Sequence, residues 1–146
     1  MLLTLLRAKI HGAIVTQCNR DYVGSITIAA DLLEASGLLP NEKVLVADIH
    51  NGRRFETYII VGEAGSGVIG INGAAAHLVQ PGEKLIIMAF AQMPPEEAAG
   101  HVARVLVLDA LNKPVQTMKL SSGLTPPDAA GRHVSKQDIK PSENQG

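Results

Sequence analysis

The stretch that most constrains this chain is Asn51-Gly52, set between Val44-Leu45-Val46-Ala47-Asp48-Ile49 and Arg54-Phe55-Glu56-Thr57-Tyr58-Ile59. Asn-Gly accepts the positive φ angles of a two-residue type I′ turn, whose twist matches that of two antiparallel strands. The flanking runs are rich in β-branched and aromatic residues, which suit a pleated surface. A β-hairpin at this point is therefore the firmest local expectation, and the rest of the chain has to be a partner for it.

The partners are short extended segments. Residues 3–10, 13–17, 25–28, 43–50, 53–61, 67–71, 84–92 and 103–109 are each rich in Val, Ile or Leu, and most are bounded by Gly, Pro, Asn or Asp. Two helices fit between them. One runs from Asp31 to Ser36 and is closed by Gly37; a shorter one covers Pro94 to Ala99 and is ended by Gly100. Ala74 to Leu78 adds a further helical turn. Many short strands, few helices and no βαβ rhythm predict a mainly β fold, a small closed barrel that leaves no exposed sheet edge. After about Asn112 the chain turns to Ser, Pro, Gly, Lys and Asp with little apolar periodicity. The expected division is a barrel domain over 1–111 and a flexible C-terminal tail over 112–146.

Composition excludes several classes of function. At 146 residues and 46% hydrophobic, the chain can bury one core and no second domain. Thirteen basic against fourteen acidic side chains provide no footprint for a phosphate backbone, so nucleic acid is not an expected partner. Met1 to Leu6 is apolar, but Arg7 and Lys9 interrupt it well short of the ~20 residues of a membrane span. Its charges also follow the apolar run instead of preceding it as in a signal peptide. The single cysteine, Cys18, fits a reducing, cytoplasmic setting. No metal site is expected, because His11, His50, His77, His101 and His133 are scattered, and neither a phosphate loop nor a nucleophile elbow is present.

Chemistry enters through four segments taken together. Leu6-Arg7-Ala8-Lys9-Ile10-His11, Tyr22-Val23-Gly24-Ser25, Asn51-Gly52-Arg53-Arg54-Phe55-Glu56-Thr57-Tyr58 and Ile71-Asn72-Gly73-Ala74-Ala75-Ala76-His77 resemble, in order and spacing, the aspartate 1-decarboxylase family over about residues 1–110. A bare Gly-Ser pair is ordinarily a turn or strand entry. The resemblance implies instead a self-cleavage site between Gly24 and Ser25, with the new N-terminus at Ser25 becoming a covalent pyruvoyl cofactor. It further implies decarboxylation of L-aspartate to β-alanine and CO2 for pantothenate and coenzyme A biosynthesis. The pyruvoyl ketone would form a Schiff base with the substrate amine and accept the electrons left by CO2, the role pyridoxal phosphate has elsewhere. The implied architecture is a six-stranded double-psi β-barrel, assembled as a homotetramer with sites between neighbouring subunits.

Within that frame Ser25 and Tyr58 are the expected catalytic residues, Tyr58 as proton donor. Lys9, Arg54, Thr57, Asn72, Gly73, Ala74 and Ala75 are the expected substrate contacts, and His11 and Tyr22 support them. Physical chemistry favours Arg54 as a carboxylate anchor, since its guanidinium is a permanently charged, bidentate fork. Glycine at position 24 permits strained backbone geometry and leaves its carbonyl open to attack. Small residues after Asn72 let backbone N–H groups approach an anion. Bland readings remain beside these: Tyr58 as a core residue with a satisfied hydroxyl, His11 as a structural hydrogen-bonding group, and Gly73 to Ala75 as a packing contact. Thr57 would point away from Tyr58 on a regular strand, so serving one site together requires a twist or a strand end. Two rivals to the whole reading are an uncleaved barrel that only binds a small carboxylate, and a decarboxylase acting on glutamate.

Overall fold

In the computed structural model, which describes residues 1–121 and 139–141, the elements follow as β1 (Leu3–Ile14), β2 (Gln17–Asn19), β3 (Ser25–Ala29), α1 (Ala30–Ser36), β4 (Lys43–Asp48) and β5 (Arg54–Gly62). Then come β6 (Ile69–Asn72), a 3-10 turn (Gly73–His77), β7 (Lys84–Met93), α2 (Pro95–Ala98), β8 (Val102–Leu108), β9 (Pro114–Ser121) and β10 (Ile139–Pro141). The mainly β expectation holds. The strands pair in the order β10-β9-β8-β1-β7-β4-β5-β3-β6-β2.

The hairpin forms, with Val46 opposite Phe55 and Ala47 opposite Arg54, but its turn is not the expected two-residue type I′. Gly52 has φ 72°, whereas Asn51 is not in the left-handed region. The Asp48 carboxylate accepts from the His50 amide at 2.8 Å, and the Asp48 carbonyl accepts from the Gly52 amide at 2.9 Å. This side-chain turn winds the loop into a helical curl of four residues before Arg53 closes it, a local alternative that Asp and Asn offer the backbone.

Strand β1 is longer than the two pieces expected from the sequence. Gly12, at φ 85°, absorbs a register shift between His11 and Ala13, so the strand kinks without breaking. Alternation then sorts its side chains: Ala8 and Ile10 enter the core, and Lys9 and His11 lie on the opposite face. The core is aliphatic, built from Ile26, Ile28, Val46, Ile59, Ile69, Ile71, Leu85, Ile87 and Leu106, with Leu32 of α1 packed into it. Gly37 closes α1 in the left-handed conformation, as expected.

Past the boundary expected at residue 111, β9 pairs antiparallel with β8, from Leu108–Pro114 to Val102–Ser121. Residues 109–113 are the turn of that hairpin. The Lys113 amide and then the Leu111 amide bond Asp109 Oδ1, each at 2.9 Å, and hold its carboxyl below the usual range. Asn112 takes the left-handed conformation at φ 57°. The polar composition misleads because most of β9 is exposed, so it needs few apolar side chains. The remaining residues of the expected tail, 122–138 and 142–146, lie outside the described residues.

Candidate active site

Strand β5 organises the site by changing partners along its length. From Arg54 to Tyr58 it pairs antiparallel with β4; from Ile59 to Gly62 it pairs parallel with β3. Tyr58 is the last residue before the exchange. Because Ile26 pairs with Ile59, Ser25 and Tyr58 stand side by side, one residue earlier on each strand.

On the other side of β3, Ser25 pairs with Asn72 of β6. Both residues are buried, Ser25 completely and Asn72 at 4% exposure. The Asn72 amide Nδ2 donates to Ser25 Oγ at 2.8 Å and to Thr27 Oγ1 at 3.1 Å. Burial without a partner would cost the hydroxyl about 1–3 kcal/mol, and Asn72 removes that cost while fixing where Oγ sits.

Residues 20–24 run over this pair with exposed side chains, Tyr22 at 53%. Gly73, at φ 71°, is pressed against them: a Cβ there would lie 2.6 Å from Gly24 Cα, 2.9 Å from Gly24 N and 3.1 Å from the Tyr22 carbonyl oxygen. Glycine is therefore obligatory at 73. It is not obligatory at 24, where the backbone avoids the left-handed region and a Cβ would meet only the Asn72 carbonyl at 3.9 Å. Gly24 thus has neither the left-handed φ nor the close contact that would demand glycine. Beyond Gly73, Ala74 is exposed and Ala75 half-buried.

The basic residues occupy a different part of the sheet. His11 pairs with Ile86, Ile86 with Ala47, and Ala47 with Arg54, so the four form one row across β1, β7, β4 and β5. Lys9, two residues from His11, shares its face. Burial pushes the His11 imidazole below its ordinary value, and the Lys9 and Lys84 ammonium groups push it the same way. Along β5, Arg54, Glu56 and Tyr58 share the exposed face, whereas Phe55, Thr57 and Ile59 face inward. The strand neither ends nor bulges at Thr57, so Thr57 and Tyr58 do not converge within one chain.

A family model described as aspartate decarboxylase matches residues 1–115. The chain belongs to the aspartate decarboxylase family. An aspartate 1-decarboxylase from Caldicellulosiruptor saccharolyticus is 54% identical over 116 residues, covering 80% of this chain and 91% of that protein. Family membership makes the chain an enzyme, a decarboxylase.

The structure thus gathers Tyr22, Gly24, Ser25, Asn72 and Gly73 into one cluster with Tyr58 beside it, and leaves Lys9, His11 and Arg54 in a second region. Sequence reasoning passed over Thr27, the other acceptor of the Asn72 amide. The signal was available: Ser25-Ile26-Thr27 alternates, which places Thr27 on the face of Ser25. Burial raises the Cys18 thiol above its usual value, which disfavours the thiolate.

Proposed function

We propose that this chain is a proenzyme that cuts itself between Gly24 and Ser25, then decarboxylates L-aspartate to β-alanine and CO2 with a pyruvoyl group made from Ser25. The bond from Asn72 Nδ2 to a wholly buried Ser25 Oγ, under a backbone held against Gly73, is the observation that carries the proposal. A hydroxyl fixed beside the preceding carbonyl and shielded from water can attack that carbonyl without competition from hydrolysis.

The chemistry balances from the chain and one water. Ser25 Oγ bonds to the Gly24 carbonyl carbon, the Gly24–Ser25 C–N bond breaks, and the hydroxyl proton ends on the freed nitrogen. Loss of the Ser25 Cα proton then expels the Gly24 carboxylate from Cβ. Water replaces the nitrogen, which leaves as ammonia. Cα is oxidised to a ketone as Cβ is reduced to a methyl group, so no external oxidant is needed.

The residues around Ser25 fit such a group: Gly73 has no Cβ to intrude, and Asn72 offers an N–H donor at the position of Oγ. When formed, the pyruvoyl group supplies a carbonyl conjugated to an amide that accepts electrons as CO2 departs. This chain's own residues supply the rest. Arg54 and Lys9 bind carboxylates, Tyr58 Oη holds the proton delivered to the product carbon, and Thr57, Ala74 and Ala75 complete the substrate contacts, with His11 and Tyr22 in support.

We assign the meeting of these groups to a subunit boundary. Lys9 lies four strand spacings from β3, about 19 Å along the sheet, and Arg54 stands four residues before Tyr58, about 13 Å along β5. That separation supports a homotetramer in which one chain presents Ser25 and a neighbour presents Lys9 and Arg54. We further assign a closed six-stranded double-psi barrel, a cytoplasmic setting consistent with the free Cys18 thiol, and a role in supplying β-alanine for pantothenate. Denaturing intact-mass analysis tests the reading. It requires fragments 1–24 and 25–146, the second one ammonia lighter than a serine-terminated fragment, so that the pair outweighs the intact chain by one water less one ammonia. An uncut chain after prolonged incubation overturns it.

A further inference from the structure

We infer that Thr27 is a positioning residue for self-cleavage: its hydroxyl holds one N–H of the Asn72 side-chain amide and so keeps the other on Ser25 Oγ. The inference rests on the self-cleavage reading above. A primary amide has two faces of equal shape and opposite hydrogen-bonding sense. With its carbonyl turned to Ser25, Asn72 would accept the hydroxyl proton and swing the Oγ lone pairs away. With its NH2 turned to Ser25 it donates to Oγ, holding the oxygen in place and leaving the proton to point elsewhere. A hydroxyl can serve either face, so what Thr27 adds is a second anchor that fixes where the NH2 group sits. Thr27 Oγ1 accepts its second hydrogen at 3.1 Å while Ser25 Oγ accepts at 2.8 Å, so one amide is clamped by two hydroxyls two residues apart on β3.

The packing of Thr27 holds its own hydroxyl in place. A Cβ at Gly62 would lie 2.4 Å from Val68 Cγ1 and 3.0 Å from the Thr27 methyl Cγ2, so these two groups share the space left by the missing side chain. Thr27 pairs with Gly70, and a Cβ there would lie 3.4 Å from Thr27 Cβ and 3.0 Å from Gln17 Nε2. Two glycines thus make a slot for one β-branched residue, and a β-branched residue is stiff about χ1. With the methyl seated against Gly62, Oγ1 is directed to Asn72.

Three substitutions separate this role from simple packing. Thr27→Val keeps the shape and deletes the acceptor; Thr27→Ser keeps the acceptor and deletes the methyl; Thr27→Ala deletes both. Each uncut full-length chain is followed by intact mass over time, beside the unaltered protein. Loss of one hydrogen bond at the reacting group is expected to slow cleavage about tenfold in Thr27→Val and in Thr27→Ala. Thr27→Ser, which keeps the acceptor but frees it about χ1, is expected to cleave faster than Thr27→Val and slower than the unaltered chain. A packing role predicts the opposite order, with Thr27→Ser slower than Thr27→Val, and that order overturns the inference, as does cleavage of Thr27→Val at the unaltered rate. Should the unaltered chain itself not cleave, the self-cleavage reading fails first and takes this one with it.

Discussion

Asn72 Nδ2 lies 2.8 Å from Ser25 Oγ, and both side chains are removed from water. The two residues are a directly opposed antiparallel pair of β3 and β6, so the contact is set by strand register and not by a loop. Asn72→Ala would leave the buried hydroxyl without its donor. We expect a loss of about 1–3 kcal/mol in stability together with slowed cleavage. Denaturant unfolding of a chain also carrying Ser25→Ala, compared with Ser25→Ala alone, checks the stability part: the second substitution removes the orphaned hydroxyl and should recover most of the loss.

Gly73→Ala and Gly24→Ala should differ sharply, although both alter a glycine beside the same bond. At 73 the new methyl meets backbone of residue 24 at 2.6 Å and must adopt φ 71°, which costs about 1–2 kcal/mol before the clash is counted. At 24 it meets one carbonyl oxygen at 3.9 Å. Thermal unfolding should show Gly24→Ala close to the unaltered protein and Gly73→Ala well below it, with cleavage abolished in the latter.

Arg54 is exposed at the start of β5 and its removal leaves no buried group unpaired. Arg54→Ala should fold normally and still cleave at Gly24-Ser25, yet lose roughly 10- to 100-fold in kcat/KM for aspartate, the worth of a charge-assisted bond to a carboxylate. Unchanged kcat/KM would remove Arg54 from the substrate site.

His11 gives the fold a pH dependence of known sign. Its pKa is lowered in the folded state, first by burial and then by Lys9 and Lys84. Below its ordinary value, about 6.5, the unfolded chain therefore binds more protons than the folded one, and stability falls as pH drops through the acid range. His11→Gln should flatten that slope in thermal midpoints measured between pH 5 and 8.

Asn112 ties three segments together. Its Oδ1 accepts from the Ile14 amide at 2.7 Å, and its Nδ2 donates to the Ile14 and Gly67 carbonyls, each at 2.8 Å. It is buried, so Asn112→Ala strands three backbone groups, and we expect a loss of about 3 kcal/mol or more. Ending the chain at residue 111 should be at least as damaging, whereas a chain whose fold stops at that point would not notice.

The sequence by itself determined most of the elements and the family. Period-two alternation marks which of Lys9 and Ile10, or Tyr58 and Ile59, faces the core, because the pleat leaves no other choice once one face is buried. Gly37 and Gly52 announce left-handed positions, since few other residues adopt them at so little cost. The four segments carried the resemblance to the family and, through it, the proposal that the Gly24-Ser25 bond is the one cut. Tertiary structure alone decided what these residues touch. Nothing local in Asn72 says that its amide reaches Ser25 and Thr27; that follows from the register of β6 on β3, which depends on long-range pairing. Only that pairing shows that Gly73, and not Gly24, is the glycine that sterics require. The strand after Asn112 was illegible for a related reason: an exposed strand carries little hydrophobic pattern, and its place comes from backbone hydrogen bonds to β8, which any side chains can accompany. The separation of Lys9 from Ser25 belongs to the same class, because the four strand spacings between β1 and β3 are set only in the folded sheet.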